Sequence, residues 1–159
     1  LKYFNIFGPN EYHKENMQSM AGKGFIQAME KNKICLFKSY KKEYKDGGQE
    51  RDFLYIKDAV NMTLFFLDNP SIGGIFNIGA GRSRNWNDLA INIFKAMGRE
   101  PQIEYISMPE TILHQYQYHT CADIQKIRDA GYTQSIMSLE DGITDYVKNY
   151  LVSNKRLGN

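Results

Sequence analysis

An arginine standing where a strand emerges from a basic loop is the most specific chemical feature of this sequence. Arg51 opens the stretch RDFLYIKD at 51–58, directly after SYKKEYKDGGQE at 39–50, which is polar, glycine-interrupted and rich in lysine. A guanidinium in that place can hold a phosphate through two parallel N–H bonds. The same side chain could instead form a surface pair with its neighbour Asp52, and the residues alone leave both readings open. Asp58 stands where it could cap the next helix. A second group flanks Gly8-Pro9, with Asn5 before the turn and Lys14 after it. The end of a strand followed by an open loop is where α/β sheets place their ligands. A lysine in such a loop is ordinarily just solvated. In a dry cleft, or beside another cation, it gives up its proton more readily and can serve as acid or base.

Other chemistries find little support. The histidines His13, His114 and His119 are not spaced with the cysteines as metal ligands are, which argues against a zinc site. There is no GxSxG and no phosphate-binding P-loop. GGIFNIGAG at 73–81 has the composition of a dinucleotide fingerprint but not its order, because a strand lies between the glycine pairs instead of before them. Gly79 and Gly81 are better read as a strand-to-helix turn.

The elements that would carry these residues alternate between strand and helix. Leu1–Phe7 reads as a strand stopped by Gly8-Pro9-Asn10, and Asn16 as the cap of a helix from Met17 to about Lys31. Short strands follow at Ile34–Phe37 and Phe53–Ile56, then a helix over Lys57–Leu67, a strand at Ile75–Ile78 and a helix from Asn85 or Asn87 to about Met97. A strand at Ile103–Ile106 and helices over Ala122–Ala130 and Leu139–Leu151 complete an α/β pattern.

Composition fits one globular unit. The 159 residues are 42% hydrophobic and 24% charged, and 20 basic residues against 18 acidic ones leave a net charge of +2, too balanced for a nucleic-acid surface. No apolar run approaches the ~18–20 residues that span a bilayer, so no membrane association is expected. Two cysteines, Cys35 and Cys121, are too few for a disulfide scaffold, and a reducing cytoplasm is the expected setting. The chain starts at a leucine already inside an apolar strand, which reads as a fragment of a longer protein.

LKYFNIFGPNE at 1–11, RDFLYIKD at 51–58, GIFNIGAGR at 74–82 and AGYTQS…LEDGI at 130–143 occur in the same order in one family. The chain resembles the C-terminal half of the extended short-chain dehydrogenase/reductases that act on nucleotide sugars. GPNEYHKENM at 8–17, LFKSY at 36–40, IEYISMP at 103–109 and QYQYHT at 115–120 narrow the resemblance to the branch that epimerises an ADP-linked heptose at C6 for the lipopolysaccharide core.

The resemblance implies a Rossmann-type α/β fold shared between two parts. Residues 1–8 and 56–80 would belong to the NADP-binding sheet, and residues 9–55 and 81–159 to a small α/β substrate-binding domain. It also implies a mechanism. NADP oxidises C6 to an aldehyde, the aldehyde turns its other face, and the hydride returns, so two acid–base groups are needed. Lys14 matches one of them and also a cofactor contact. The other, in a Tyr-x-x-x-Lys pair, is absent here, as is the glycine-rich phosphate turn. By the same resemblance Asn5 touches the sugar and the Ile6 backbone meets the nicotinamide end. Asn16, Lys23 and Tyr116 contact the substrate, Phe37, Lys38, Ser39 and Tyr40 line the ADP pocket, and Arg51 binds the diphosphate. Lys38-Ser39-Tyr40 departs from a Glu-Gly-Ser type of loop, and Trp86, in place of a Phe, reads as packing. ADP-heptose is thus the implied substrate and a homo-oligomer the implied state. The alternatives are another nucleotide-sugar epimerase or dehydratase and a non-catalytic nucleotide-sugar-binding module.

Overall fold

A computed structural model describes residues 1–156. The opening apolar stretch forms two strands in place of the single one expected. β1 (Lys2–Tyr3) pairs in parallel with β6 (Asn77–Ile78), and β2 (Asn5–Phe7) pairs in parallel with β5 (Phe53–Tyr55). Phe4 lies at the change of partner, its N–H still donating to Ile78 O. Strand alternation then divides the molecule. Phe7, Phe53 and Tyr55 face one core, while Ile6 and Leu54 face a second. The β2–β5 pair is therefore the wall between two apolar clusters.

The first cluster is built from three helices and a separate strand pair. α1 (Met20–Lys31), α3 (Trp86–Ala96) and α6 (Leu139–Tyr146) pack together, with β3 (Ile34–Phe37) held in parallel by β8 (Ile103–Ile106). α1 starts later than its sequence suggests. Ser19, not Asn16, is its cap, accepting from the Gly22 N–H at 3.2 Å, because Asn16 falls in a preceding turn of 3₁₀ helix over Tyr12–Met17. Asn85 caps α3 as expected, accepting from the Asp88 N–H at 2.8 Å. The last helix loosens after Tyr146 into one wide turn over Val147–Leu151.

The second cluster gathers α2 (Ile56–Asp68), Phe76 and Ile78, together with Ile127 and Tyr132 on and just after α5 (Gln125–Asp129). Residues 124–136 thus pack on the same core as 56–80. α2 has no side-chain cap. Asp58 instead reaches across to accept from the Met137 N–H at 3.0 Å, and burial raises its pKa. Three elements in this region of the chain have no counterpart in the sequence reading, the strands β4 (Glu50–Arg51) and β7 (Arg84–Asn85), which pair antiparallel, and the single turn α4 (Glu110–Leu113). On the outer side of α2, Val60, Leu64 and Leu67 are exposed, and Val60 and Leu64 share a groove with Tyr3. No helix among the described residues is long and apolar enough to cross a membrane.

Arg84 ties α3 to α6, with Nε 2.9 Å from Asp88 and Nη2 2.5 Å from Glu140. The guanidinium holds the Glu140 carboxyl down at about 2, below its ordinary 4.5. A depressed carboxylate pKa stabilises the fold above the unfolded value, and that contribution fades as pH falls through the folded one. The melting-temperature gap between wild type and Arg84→Met should therefore be full at pH 6–7 and close between about 4.5 and 2. It should be modest, because both partners are partly solvated. A gap unchanged at pH 2 would remove Glu140 as its source.

Candidate functional site

Three aromatic residues from distant parts of the chain meet beside β3. Phe37 ends that strand, Trp86 begins α3, and Tyr116 comes from the loop after α4. With Met20, Gln27, Cys35, Leu36 and Ile106 they line an open cavity of about 310 Å³. Phe37 and Tyr116 meet edge to face with centroids 6.1 Å apart, and the Trp86 indole N–H donates to the Tyr116 hydroxyl at 3.1 Å. Trp86 also packs edge-on against Phe53 at 5.0 Å. It is thus both packing, as its sequence context suggests, and a wall of the cavity. Such a pocket, apolar with a few polar groups at its edge, suits a planar ring.

Arg51 completes the place. Its guanidinium lies over the Tyr116 ring at 5.1 Å and the Trp86 ring at 5.7 Å, and Nη1 donates to Glu50 O at 2.7 Å. The residue is buried, with a relative exposure of 8%, and no carboxylate pairs with it among the described residues. Burial accordingly pushes its pKa down from the usual value, while its charge opposes the burial-driven rise of the Tyr116 hydroxyl. The pairing with Asp52 does not form. Successive side chains of an extended strand point to opposite sides, and Asp52 turns into the protein to accept from the Ala80, Gly81 and Ala122 N–H groups at 2.6, 2.9 and 2.9 Å. This also corrects the reading of Gly79–Gly81. The segment leads into β7, not directly into a helix, and it cradles the carboxylate. A Cβ at Gly79 would stand 2.4 Å from Ala122 Cβ and 3.1 Å from Asp52 Oδ1.

The remaining candidates are spread around this place. Lys38 and Tyr40 are exposed just past β3, and Ser39 is half-buried. The loop they start is folded back on itself. The Ser39 N–H donates to Asp46 Oδ1 at 2.7 Å, the Tyr40 N–H donates to the Tyr118 hydroxyl at 2.9 Å, and buried Gln49 Nε2 donates to Lys38 O at 3.1 Å. Phe37 faces the cavity, whereas Lys38, Ser39 and Tyr40 are not among its walls. Lys23 follows Met20 by three residues and precedes Gln27 by four, so it shares their face of α1. Its ammonium donates to Asn16 O, which puts Asn16 and Lys23 at one end of the cavity's helical wall. Asn5 sits opposite Phe53 in the β2–β5 register and lines a shallow depression with Gln117 and Thr120. Ile6 points to the other side, into the groove under α2.

Lys14 is exposed in the 3₁₀ segment Tyr12–Met17, which contains no buried residue. The described residues form no dry cleft around it. Its neighbour Glu15 has φ 45° and ψ −117°, a backbone state that costs a non-glycine residue about 1–3 kcal/mol. Sequence reasoning missed Glu11, Asp52 and Gln49 as buried polar anchors. Their partners lie well along the chain, so no motif of adjacent residues marks them.

The sequence profile of the NAD dependent epimerase/dehydratase family matches residues 1–79. The chain is 48% identical over 153 residues to the ADP-L-glycero-D-manno-heptose-6-epimerase of Nitratidesulfovibrio vulgaris strain DP4, an alignment covering 96% of this chain and 47% of that protein. It is 45% identical over 157 residues to the enzyme of the same name from Fusobacterium nucleatum, covering 95% and 47%. The chain spans about half the length of the curated relatives it matches. Among solved structures it superposes on the Helicobacter pylori ADP-L-glycero-D-manno-heptose-6-epimerase with a TM-score of 0.76 and 30% identity, over 92% of this chain and 42% of that one.

Proposed function

Because the chain belongs to the NAD dependent epimerase/dehydratase family, we propose that it is the substrate-binding part of an epimerase that inverts C6 of an ADP-linked heptose. The observation that carries this reading is Arg51, a buried cation without a carboxylate partner among the described residues, stacked on Tyr116 and Trp86 beside an aromatic cavity. A nucleoside diphosphate supplies what is lacking there, a planar base for the cavity and a diphosphate for the guanidinium. Asn5, Asn16 and Lys23 would turn toward the sugar, and Lys38 to Tyr40 would border the nucleotide.

The cofactor of this reading is NADP. Asn5 and Ile6 open a short parallel strand whose carboxyl end, Phe7, runs into the Gly8 loop, and the carboxyl ends of such strands are where these sheets hold ligands, which supports the Ile6 backbone as a neighbour of the nicotinamide end. No glycine-rich turn from a strand into a helix N-terminus is present among the described residues to take the phosphates. When bound, the nicotinamide supplies hydride removal and return. Lys14 moves the proton at the C6 oxygen on one face of the intermediate aldehyde, and a tyrosine from the nucleotide-binding half serves the other. Residues 1–8 and 56–80 would complete that half, and 9–55 with 81–159 would form the substrate side. The product would feed lipopolysaccharide core assembly in the cytoplasm, and the full-length enzyme would work as a homo-oligomer.

The direct test incubates the full-length enzyme with NADP and ADP-heptose and follows C6 configuration by NMR. Conversion is expected, and its absence alongside turnover of a UDP-sugar would select a sister activity of the family. Arg51→Ala in that enzyme should raise KM about tenfold or more with kcat little changed. A diphosphate contact is made alike in ground and transition states, and a charge-assisted hydrogen bond contributes roughly 1.5–3 kcal/mol. An unchanged KM with a lower melting temperature would make Arg51 a packing residue.

A further inference from the structure

The carboxylate of Glu11 closes the loop that carries Lys14. Oε2 accepts from the Ser19 N–H at 2.8 Å and Oε1 from the Ser19 hydroxyl at 2.6 Å, so one side chain joins the residue before the 3₁₀ turn to the cap of α1. A third bond comes from far along the sequence. The Tyr146 hydroxyl, on the last turn of α6, donates to Oε1 at 2.9 Å. Glu11 is only 5% exposed and Tyr146 3%, although the segment between Glu11 and Ser19 holds no buried residue. Gly22 makes room, since a Cβ there would stand 2.9 Å from Glu11 Oε1.

A loop without buried side chains has no packing of its own to fix its shape, yet this one keeps Glu15 at φ 45° and ψ −117°. Strained backbone of that kind persists where its surroundings over-determine it. The backbone bonds inside the loop, Lys14 N–H to Glu11 O and Gln18 N–H to Glu15 O, are local and solvated. The exposed Lys23 ammonium reaches the loop's middle at Asn16 O, and the buried Glu11 carboxylate ties its two ends to the folded body.

We propose that Glu11 is a positioning residue for Lys14, clasping the loop in one geometry with Tyr146 of the C-terminal helix as its outer anchor. The proposal rests on the reading of Lys14 as a proton carrier, but its structural half can be judged without it. Tyr146→Phe removes one bond and keeps the ring. Glu11→Gln keeps the shape and loses the charge that makes all three bonds strong.

In the full-length enzyme, both variants should raise amide hydrogen exchange across residues 12–19 by about tenfold, while amides of β3 and α3 keep their wild-type rates. Turnover should fall about tenfold in step, because the ammonium is less often in place, while KM for the sugar nucleotide should rise by a smaller factor, through Asn16 of the same loop. Unchanged exchange at 12–19 in both variants overturns the clasp. An equal rise over β3 and α3 overturns it too, since Glu11 would then hold the fold as a whole. Raised local exchange with undiminished turnover overturns the positioning role. Failure of the underlying reading looks different, as Lys14→Ala would then turn over normally whatever the exchange shows.

Discussion

Lys14→Ala in the full-length enzyme should lower kcat by about 10²–10⁴-fold, the range for a lost acid–base group. The oxygen at the reacting carbon changes its position during epimerisation while the hydride donor stays in place. A proton carrier is therefore needed on each face, and one carrier cannot reach both. Lys14→Arg should not restore turnover, because a guanidinium does not give up its proton near neutrality. NADP occupancy, read by absorbance of the purified protein, should be little changed, since the proposal puts the phosphate contacts in the nucleotide-binding half and not at Lys14. A Lys14→Ala enzyme with near-normal kcat would end the assignment.

The exposure of Lys14 bears on how that chemistry is switched on. The 12–17 segment buries nothing of its own, so the described residues leave the Lys14 side chain in water. In the proposed enzyme the drying comes with the bound sugar nucleotide and the nucleotide-binding half. Residues 1–159 expressed alone should accordingly show no epimerase activity and no tight NADP binding, which calorimetric titration would check. Micromolar binding would move the cofactor site into this chain.

The alternation of strand and helix was legible in the sequence because it rests on local pattern, and α2 and α3 lie near where that pattern puts them, although the Val60, Leu64 and Leu67 stripe of α2 faces outward and Ala59 and Met62 enter the core. Asn85 declared itself as a cap because capping is a relation within one turn. What escaped notice depends on distant residues. Nothing near Phe4 announces that β1 and β2 take different partners, since those partners are some fifty residues and more away. Asn16 looked like a cap as much as Ser19 does, and only the closure of Glu11 onto Ser19 decides between them. Arg51 stood out because a guanidinium at the mouth of a strand suits a phosphate. That Asp52 would turn its back on it follows from the strand geometry and from three N–H groups supplied by segments far along the chain. The cavity was half visible, with Phe37 and Tyr116 drawn from the resemblance and Trp86 given only a packing role.

Asp52→Ala should cost about 3 kcal/mol or more of stability. The carboxylate is wholly enclosed and accepts from the N–H groups of Ala80, Gly81 and Ala122, joining three separate segments at one point. Removing it leaves those donors without their acceptor, at about 1–3 kcal/mol for each buried group left unsatisfied. Asp52→Asn should not rescue, because its NH₂ would face N–H donors and only one oxygen would remain to accept. Gly79→Ala tests the same cradle from the other side, since its Cβ would enter the space held by Ala122 Cβ and the carboxylate. The effect should reach the site as well. Asp52 fixes the peptide that follows Arg51, so a surviving Asp52→Asn protein should bind the sugar nucleotide more weakly as its guanidinium loses its place on Tyr116 and Trp86. Urea unfolding of the full-length protein measures the first effect and KM the second. A stability loss below about 1 kcal/mol would mean that water reaches the three donors, and the cradle would then be a detail of the turn instead of the anchor of the strand that carries Arg51.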